Sequence, residues 1–398
     1  MAFQWYPPGY CVSITAYPTV EPFWNKTELD RQYRSAVSLH SHTNHSKESL
    51  RFIPEFTRKH PILHWALERQ ALRSTIPVDL VKAYWTPPLH PKAAFEVERN
   101  QIEVVLGLMG LVSLTDHDTI EAPALLRTVA ETREVPLSLE WTVPFGGAVF
   151  HLGVHNLPSA RAQQIVADLA AYTRTPSGPH LTELLAMLDQ LPEVLIIFNH
   201  PLWDLGGLGQ ERYGEILDQF LWGNVRFLHA FELNATRSRI ENNGVTELAG
   251  RWRRLLISGG DRHGCEPSGA LNLTRAESFC EFVHEIRAEQ CSHVVIMPQY
   301  DEPLSLRIMQ VVLDVIREYP EYAPGCRRWD DRVFHPEQTT DIEQPISALW
   351  KAPPAYIERI FFVMRLLENA SVRGALRQIY RNEVNLDPPS NSVYEAVL

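Results

Sequence analysis

The feature that most constrains this chain is an alternation of short apolar runs with helical patterns, in which the runs end at residues able to bind metal. The runs have the length of buried strands. Helical patterns separate most of them, at 101–110, 121–134, 160–174, 181–191 and around 236–254. This alternation predicts parallel strands, in a β/α barrel or an open doubly wound sheet. In a barrel the strand ends open on one face and build the active site there, so residues far apart in sequence would meet.

Histidine and carboxylate residues recur at or near the ends of seven such runs. The groups are His40 and His42; Asp116, His117 and Asp118; Glu140; His151 and His155; His200; Glu232 with Asn234; and Asp261 with His263.

The first group can chelate one ion, because side chains two residues apart on an extended backbone lie on the same side. An H-x-H pair alone is weak evidence, since such pairs occur by chance. Several later residues also have a structural explanation. Asp118 could cap the following helix, Glu140 could form a buried salt bridge, and His151 or His200 could be a hydrogen-bonded core histidine.

Composition excludes several classes of function. The 398 residues carry a formal net charge of -11, which argues against sequence-independent binding of nucleic acid. Five scattered cysteines without a C-x-x-C pair make a thiolate zinc site unexpected. Neither a secretory N-terminus nor a long apolar window is present, so we expect a cytoplasmic protein without a membrane span. The sequence does not predict an oligomeric state.

The chain divides into three predicted parts. Residues 1–35 form an N-terminal arm, residues 36–300 form the main domain, and residues 301–398 form a helical extension. Within the main domain, 47–100 breaks the alternation and is predicted to be an insertion after the first strand, with a helix near 62–73. This insertion could close over the site as a lid.

The order of the motifs resembles the polymerase and histidinol phosphatase (PHP) domain family. The matching motifs are H-x-H at 40–42, T-D-H-D at 115–118, Glu140, His151 eleven residues later, N-H-P at 199–201 and G-G-D-R-H at 259–263. The match covers about 36–300. It implies an α/β fold, a distorted seven-stranded (β/α)7 barrel, with two or three divalent ions at its mouth.

The resemblance also implies a ligand set. A first ion would be held by His40, His42, Glu140 and Asp261. A second would be held by Glu140, His151 and His200, and a third would involve His117 and His263.

The sequence departs from the family at the third ion. Many members carry S-D-G or a further histidine where Ser46, Lys47 and Glu48 stand here. We expect His45 to be the nearest substitute ligand, with Glu48 as the alternative. Lys47 could instead supply the positive charge of the missing ion.

The function implied is hydrolysis of a small phosphate ester or a nucleotide by a hydroxide that bridges two ions. The mixed histidine and carboxylate set suits Zn²⁺, Mn²⁺ or Fe²⁺. Two alternatives stay open: a metallohydrolase acting on an amide or a carboxylic ester, and a non-catalytic metal-binding module.

Three residues form the predicted catalytic set besides the ligands. Asp116 and Asp118 are expected to orient the His117 ring, and Arg262 is expected to grip a substrate phosphate. Arg237 and Arg239 are further candidates for that grip.

Overall fold

The computed structural model describes residues 19–22, 29–50, 82–336, 343–349 and 355–383, and the structural statements below concern these residues. Their strands are β1 (Thr19–Pro22), β2 (Ser35–Ser38), β3 (Glu48–Ser49), β4 (Tyr84–Trp85), β5 (Met109–Val112), β6 (Leu139–Phe145), β7 (Ala148–His155), β8 (Leu195–Asn199), β9 (Ala230–Asn234), β10 (Leu255–Gly259), β11 (Ala270–Thr274), β12 (His293–Ile296), β13 (Val333–Pro336) and β14 (Glu343–Pro345).

Helices connect or flank most of these strands. They are α1 (Leu29–Gln32), α2 (Pro91–Asn100), α3 (Glu121–Leu126), α4 (Ala162–Arg174), α5 (Gly178–Asp189), α6 (Gln210–Asn224), α7 (Arg239–Trp252), α8 (Phe279–Arg287), α9 (Leu304–Ile316), α10 (Ile346–Leu349), α11 (Ala355–Arg365) and α12 (Ala370–Ile379).

The strands form three sheets in the described residues. Two have five strands, in the orders β1-β12-β11-β2-β5 and β10-β9-β8-β7-β6, and a smaller one has the order β14-β13-β4-β3. Helices α4 to α7 pack on the second sheet through the largest apolar cluster. At its centre the Phe150, Phe198 and Phe220 rings lie 4.6–5.5 Å apart. The mixed α/β prediction is confirmed.

Backbone hydrogen bonds also connect the two large sheets at two places, through segments next to their strands. The His42 amide donates to the Arg262 carbonyl at 2.9 Å, within a parallel bridge between Ser41 and Arg262. On the other side, the Asp118 amide donates to the Glu140 carbonyl at 2.9 Å. These bonds bring the segments with candidate ligands together, although each sheet is separate in strand order. The barrel stays a prediction.

Four strand pairings within the two large sheets are antiparallel and differ from the predicted parallel arrangement. Two of them join β11 to β2 and to β12. Strand β7 is antiparallel to both β6 and β8. For β6 and β7 the reason is the two-residue connection Gly146-Gly147, whose φ angles of 61° and 94° suit a tight hairpin and leave no room for a crossover helix. Glu140 is the second residue of β6. The sequence had suggested that Glu140 lies at the end of a strand, and the structure differs on this point.

Two predicted helices are shorter than their patterns. The stretch 101–110 forms a π-helical turn, Gln101–Leu106, followed by β5. The stretch 121–134 is helical only to Leu126, because the Thr128 and Thr132 hydroxyls bond the Leu125 and Leu126 carbonyls and compete with the helix.

The limits of the three predicted parts stay predictions. Most of the N-terminal arm (1–18 and 23–28) and 51–81 of the insertion lie outside the described residues, including a helix predicted near 62–73. The described ends of the insertion supply β3 and β4. Past residue 301 the structure contains helices, as expected, and also β13 and β14. No helix in the described ranges has the length and apolar character needed to cross a membrane.

Candidate metal centre

Glu140 lies at the centre of a buried cluster of histidines. Its side chain is 1% exposed, and its two oxygens lie 3.1–3.6 Å from imidazole nitrogens of five residues. Those residues are His40, His42, His117, His151 and His200. Asp261 adds a second carboxylate, 3.6 Å from the Nε2 atoms of both His40 and His42. Seven of the predicted ligands are thus brought into one cluster with shared contacts.

Three imidazole nitrogens in this cluster lack a hydrogen-bond partner among the described residues. They are the buried atoms His40 Nε2, His42 Nε2 and His117 Nδ1. Leaving a buried polar atom unsatisfied costs about 1–3 kcal/mol. Two ligands that each lie about 2.0–2.2 Å from one ion, at angles of roughly 90–110°, are about 2.8–3.6 Å apart. The observed separations match this range, so the residues present fit divalent ions.

Glu232 holds the His40 ring in the orientation that such an ion requires. Its carboxylate contacts His40 Nδ1 at 2.5 Å, and it accepts bonds from the His200 amide and from Asn234 Nδ2, each at 2.8 Å. A proton on Nδ1 leaves the lone pair of His40 on Nε2, which faces Glu140 and Asp261. The sequence placed Glu232 near the pocket, and its contact with His40 appears only in the fold.

Backbone conformation marks the same residues. His40, His200 and Asp261 have φ angles of 63°, 28° and 47°, in or near the left-handed region that non-glycine residues rarely adopt. Such strain persists where the surrounding structure over-determines it, as it does at functional sites. Three candidate ligands therefore sit in backbone conformations that their surroundings impose.

The electrostatics of the cluster favour cations. Burial raises the pKa of Glu140, but the surrounding histidines outweigh burial and hold that pKa well below its usual value. Burial lowers the pKa of His40, but Glu140, Glu232 and Asp261 raise it well above its usual value. A divalent ion would replace the protons that these imidazoles otherwise hold.

Glu48 occupies the place for which the sequence favoured His45. Its carboxylate lies 3.5 Å from His42 Nδ1, 3.4 Å from His117 Nε2 and 3.1 Å from His263 Nε2, and it accepts a bond from Ser46 Oγ at 2.6 Å. His263 belongs to the cluster through this contact and through Asp261, 3.4 Å from its Nδ1.

His45 and Lys47 lie away from this position. His45 Nδ1 contacts Glu121 at 2.9 Å, and Lys47 Nζ donates to Glu343 at 2.7 Å, with both lysine and glutamate side chains about half exposed. Side chains alternate along a strand, so Glu48 faces the histidines while Lys47 faces outward. The structure therefore does not bring His45 to the cluster and does not place the Lys47 charge there.

The predicted role of Asp116 and Asp118 is not supported. Asp116 accepts bonds from the Thr43 amide and hydroxyl at 2.5 and 2.6 Å, and Asp118 accepts one from the Thr142 amide at 2.9 Å. Neither hydrogen-bonds the His117 ring, whose two nitrogens face Glu48 and Glu140. Both aspartates fix the loops that carry candidate ligands, because each is satisfied by groups of a neighbouring segment.

Arg262 is also a structural residue and not the predicted phosphate grip. It is 4% exposed, and its guanidinium donates to Glu98 at 2.8 Å, to the Gly264 carbonyl at 2.7 Å and to the His42 carbonyl at 3.0 Å. Arg239 is similarly engaged by Asp301. The donors of both side chains are therefore committed to the protein.

Arg237 differs from the other two arginines. Its guanidinium stacks 3.8 Å from the centre of the Trp203 ring and makes one long hydrogen bond, 3.4 Å, to Asp261. Its buried Nε has no hydrogen-bond partner among the described residues. Trp203 in turn contacts His200, with ring centres 5.0 Å apart. Trp203 carries no signal in the sequence beyond its place three residues after His200.

His155 lies outside the cluster. Its Nδ1 is 2.8 Å from Ser113 Oγ, and burial lowers its pKa to about 3. A neutral, hydrogen-bonded core histidine explains these facts.

Gly259 is required for space and not for a turn. A Cβ at this position would lie 1.7 Å from Glu232 Oε1 and 3.0 Å from His40 Cβ. We expect Gly259→Ala to lower the free energy of unfolding by about 1–3 kcal/mol, the usual cost of overpacking. Urea unfolding of metal-free protein measures this change.

The control for that experiment is Gly214→Ala within α6, where an added Cβ meets no atom within 4 Å. Alanine is the better helix former, so this variant should be as stable as the parent or slightly more stable. Equal stability of Gly259→Ala and the parent would contradict the close approach to Glu232.

Comparisons with known proteins find only distant likeness. No protein-family profile and no curated protein matches the chain. Among solved structures, it is similar to an amidohydrolase from Chromobacterium violaceum whose structure contains bound sulfate and no metal, at 15% identity and a TM-score of 0.30 over 57% of this chain and 87% of that one. It is also similar to a candidate metal-dependent phosphoesterase from Bifidobacterium adolescentis, at 14% identity and a TM-score of 0.31 over 64% of this chain and 95% of that one. At these TM-scores, the function has to be argued from the geometry of the cluster itself.

Proposed function

We propose that this protein is a metal-dependent phosphoric ester hydrolase that acts on a small phosphate ester or a nucleotide. The observation that carries the proposal is the set of buried imidazole nitrogens without hydrogen-bond partners, which converge with Glu140 and Asp261 at the separations of ligands that share an ion. The motif order that resembles PHP domains supports the same reaction.

The candidate ligands divide into two overlapping sets. His40, His42, Glu140 and Asp261 would hold one ion, and Glu140, His151 and His200 would hold a second, with Zn²⁺, Mn²⁺ or Fe²⁺ as the metals that suit these donors. Divalent ions of this kind would supply Lewis-acid polarisation of the ester. They would also lower the pKa of bound water to about 7. Glu140 faces both sets and neutralises part of their charge, while Glu232 keeps the His40 ring aligned.

The same arrangement favours a distorted barrel of PHP type. Strands β2 and β5 to β10 would form its wall, because the Ser41–Arg262 and His117–Glu140 bridges lie where the two sheets would close. The candidate ligands would then line one mouth of the barrel, as in other barrel enzymes.

Arg237 is the residue that we assign to the substrate anion. It lies beside Asp261 and keeps unused donors, and a guanidinium matches the geometry of phosphoryl oxygens. The Trp203 ring limits its motion by stacking. Its function would be to orient the phosphoryl group next to the metal ligands.

The proposal is tested with protein that is depleted of metal by a chelator and reloaded separately with Mn²⁺, Zn²⁺ or Fe²⁺. We expect turnover of 4-nitrophenyl phosphate or of members of a panel of small phosphate monoesters and nucleotides. Loss of one charge-assisted contact in Arg237→Gln should reduce kcat/KM by about 10- to 100-fold. Arg212→Gln, which removes an exposed arginine paired with Glu215, is the matched control.

Two outcomes would contradict the proposal. Full metal loading without turnover of any phosphate, combined with hydrolysis of amides, lactones or carboxylic esters, would assign a different scissile bond. Metal content below one ion per chain after reloading would instead indicate a non-catalytic module.

A further inference from the structure

Glu48 reaches the metal centre from a strand that belongs to neither of the large sheets. It lies on β3, whose two residues pair with β4 in the register Glu48–Trp85 and Ser49–Tyr84. Strand β4 pairs on its other side with β13, Trp85 opposite Val333, and β13 pairs with β14. A ligand-type side chain near the start of the chain therefore depends on strands more than 280 residues later.

Side-chain contacts reinforce the pairing. Glu343 of β14 accepts bonds from Lys47 Nζ at 2.7 and 2.8 Å and from the Tyr84 hydroxyl at 2.7 Å. The Tyr84 ring stacks on Phe334 of β13 with centres 5.2 Å apart. Because Lys47 precedes Glu48 and faces the opposite way, fixing Lys47 on the outer side fixes Glu48 on the inner side.

On the inner side, Glu48 completes a compact group of donors. Its Oε2 lies 3.4 Å from His117 Nε2 and 3.1 Å from His263 Nε2, and the side chain is only 7% exposed. The Trp85 ring, next to Glu48 across the strand pair, contacts the His263 ring with centres 5.7 Å apart. The small sheet thus contacts the centre through a carboxylate and an indole.

We propose that β13 and β14 hold Glu48 in the metal centre. These two C-terminal strands would then be required for ion binding at a position formed by Glu48, His117 and His263. This inference rests on the proposed metal binding, but not on which bond the protein cleaves. Glu48 is the ligand at this position, and Lys47, Tyr84, Phe334 and Glu343 are positioning residues that act through it.

The test measures binding of Mn²⁺ alone, by equilibrium dialysis with elemental analysis. We expect Glu48→Gln to weaken one class of bound ion by about 10- to 100-fold and to leave the others in place. Phe334→Ala should weaken the same ion by about 2- to 10-fold through loss of the ring stack. Glu343→Arg should weaken it by about threefold, since exposed ion pairs contribute little.

Charge exchange separates positioning from general damage. The double variant Lys47→Glu with Glu343→Arg restores the pair in reverse, and we expect it to recover most of the lost affinity. Arg212→Glu reverses one charge of a similarly exposed pair on α6, beside Glu215. This variant should leave Mn²⁺ binding unchanged. Thermal unfolding of each metal-free variant confirms that it folds.

The outcomes distinguish this inference from the proposed function. Unchanged Mn²⁺ binding in Glu48→Gln would overturn the ligand role. Weaker Mn²⁺ binding in Glu48→Gln, with unchanged Mn²⁺ binding in Phe334→Ala and Glu343→Arg, would overturn the positioning role of β13 and β14. Failure of the wild-type protein to hydrolyse phosphate esters would overturn the proposed reaction while leaving these ion-binding results interpretable.

Discussion

Replacing Glu140 with glutamine is expected to abolish most activity and to release metal. The change keeps the side-chain shape but removes the negative charge that five imidazoles face within 3.1–3.6 Å. Bound metal provides several kcal/mol of transition-state stabilisation, and each 1.36 kcal/mol is a factor of ten in rate. We therefore expect kcat/KM to fall by about 10³-fold or more, with a matching loss of bound Mn²⁺ or Zn²⁺ in elemental analysis.

The control is Glu183→Gln, the same chemical change at an exposed position on α5. It should keep full activity and metal content. Circular dichroism of the metal-free Glu140→Gln protein shows whether the fold persists. If Glu140→Gln retained both metal and rate, Glu140 could not be the shared ligand of the two sets.

The largest effect on stability is expected at Arg262. Its guanidinium compensates Glu98, which is fully buried and also accepts bonds from Ser38 Oγ at 2.9 Å and the Ser268 amide at 3.1 Å. Arg262→Met leaves this carboxylate without its cation and leaves the His42 and Gly264 carbonyls without a donor. Breaking a buried pair in this way costs about 3–5 kcal/mol, which urea unfolding of metal-free protein would detect.

A double variant distinguishes a lost ion pair from lost packing. Glu98→Met combined with Arg262→Met removes both charges, and it should be less destabilised than Arg262→Met alone. Arg251→Ala, which breaks an exposed pair with Asp218, should change stability by no more than about 1 kcal/mol. If Arg262→Met cost as little as Arg251→Ala, the buried pair would have no special role.

The candidate ligands could be predicted from sequence because strand periodicity and strand ends are local properties. His40 and His42 lie two residues apart, and Asp261 and His263 repeat that spacing. This spacing marks each pair as a candidate chelator, although in the structure His40 and Asp261 leave the extended conformation, with φ angles of 63° and 47°. Helices α4, α5 and α7 were predictable for the same reason, since an amphipathic period is visible within one stretch of chain.

Side-chain partners were less accessible, because they depend on contacts between distant segments. The guanidinium of Arg262 is a suitable group for binding phosphate, yet it donates to Glu98, 164 residues away. In the same way, Asp116 accepts a hydrogen bond from the Thr43 hydroxyl, 73 residues away. No periodicity in the sequence reports which of several arginines or aspartates meets a partner and which keeps its donors free.

The mixed α/β class and most of the histidine and carboxylate cluster could be predicted, because apolar runs, helical periods and the spacing of ligand residues are each visible within one stretch of chain. The contacts of Glu48 with His117 and His263, the alignment of His40 by Glu232 and the buried contacts of Arg262 could not be predicted in this way. They form when strands from opposite ends of the chain pair. The pairing of β3 with β4, and of β4 with β13, turns Glu48 inward and Lys47 outward.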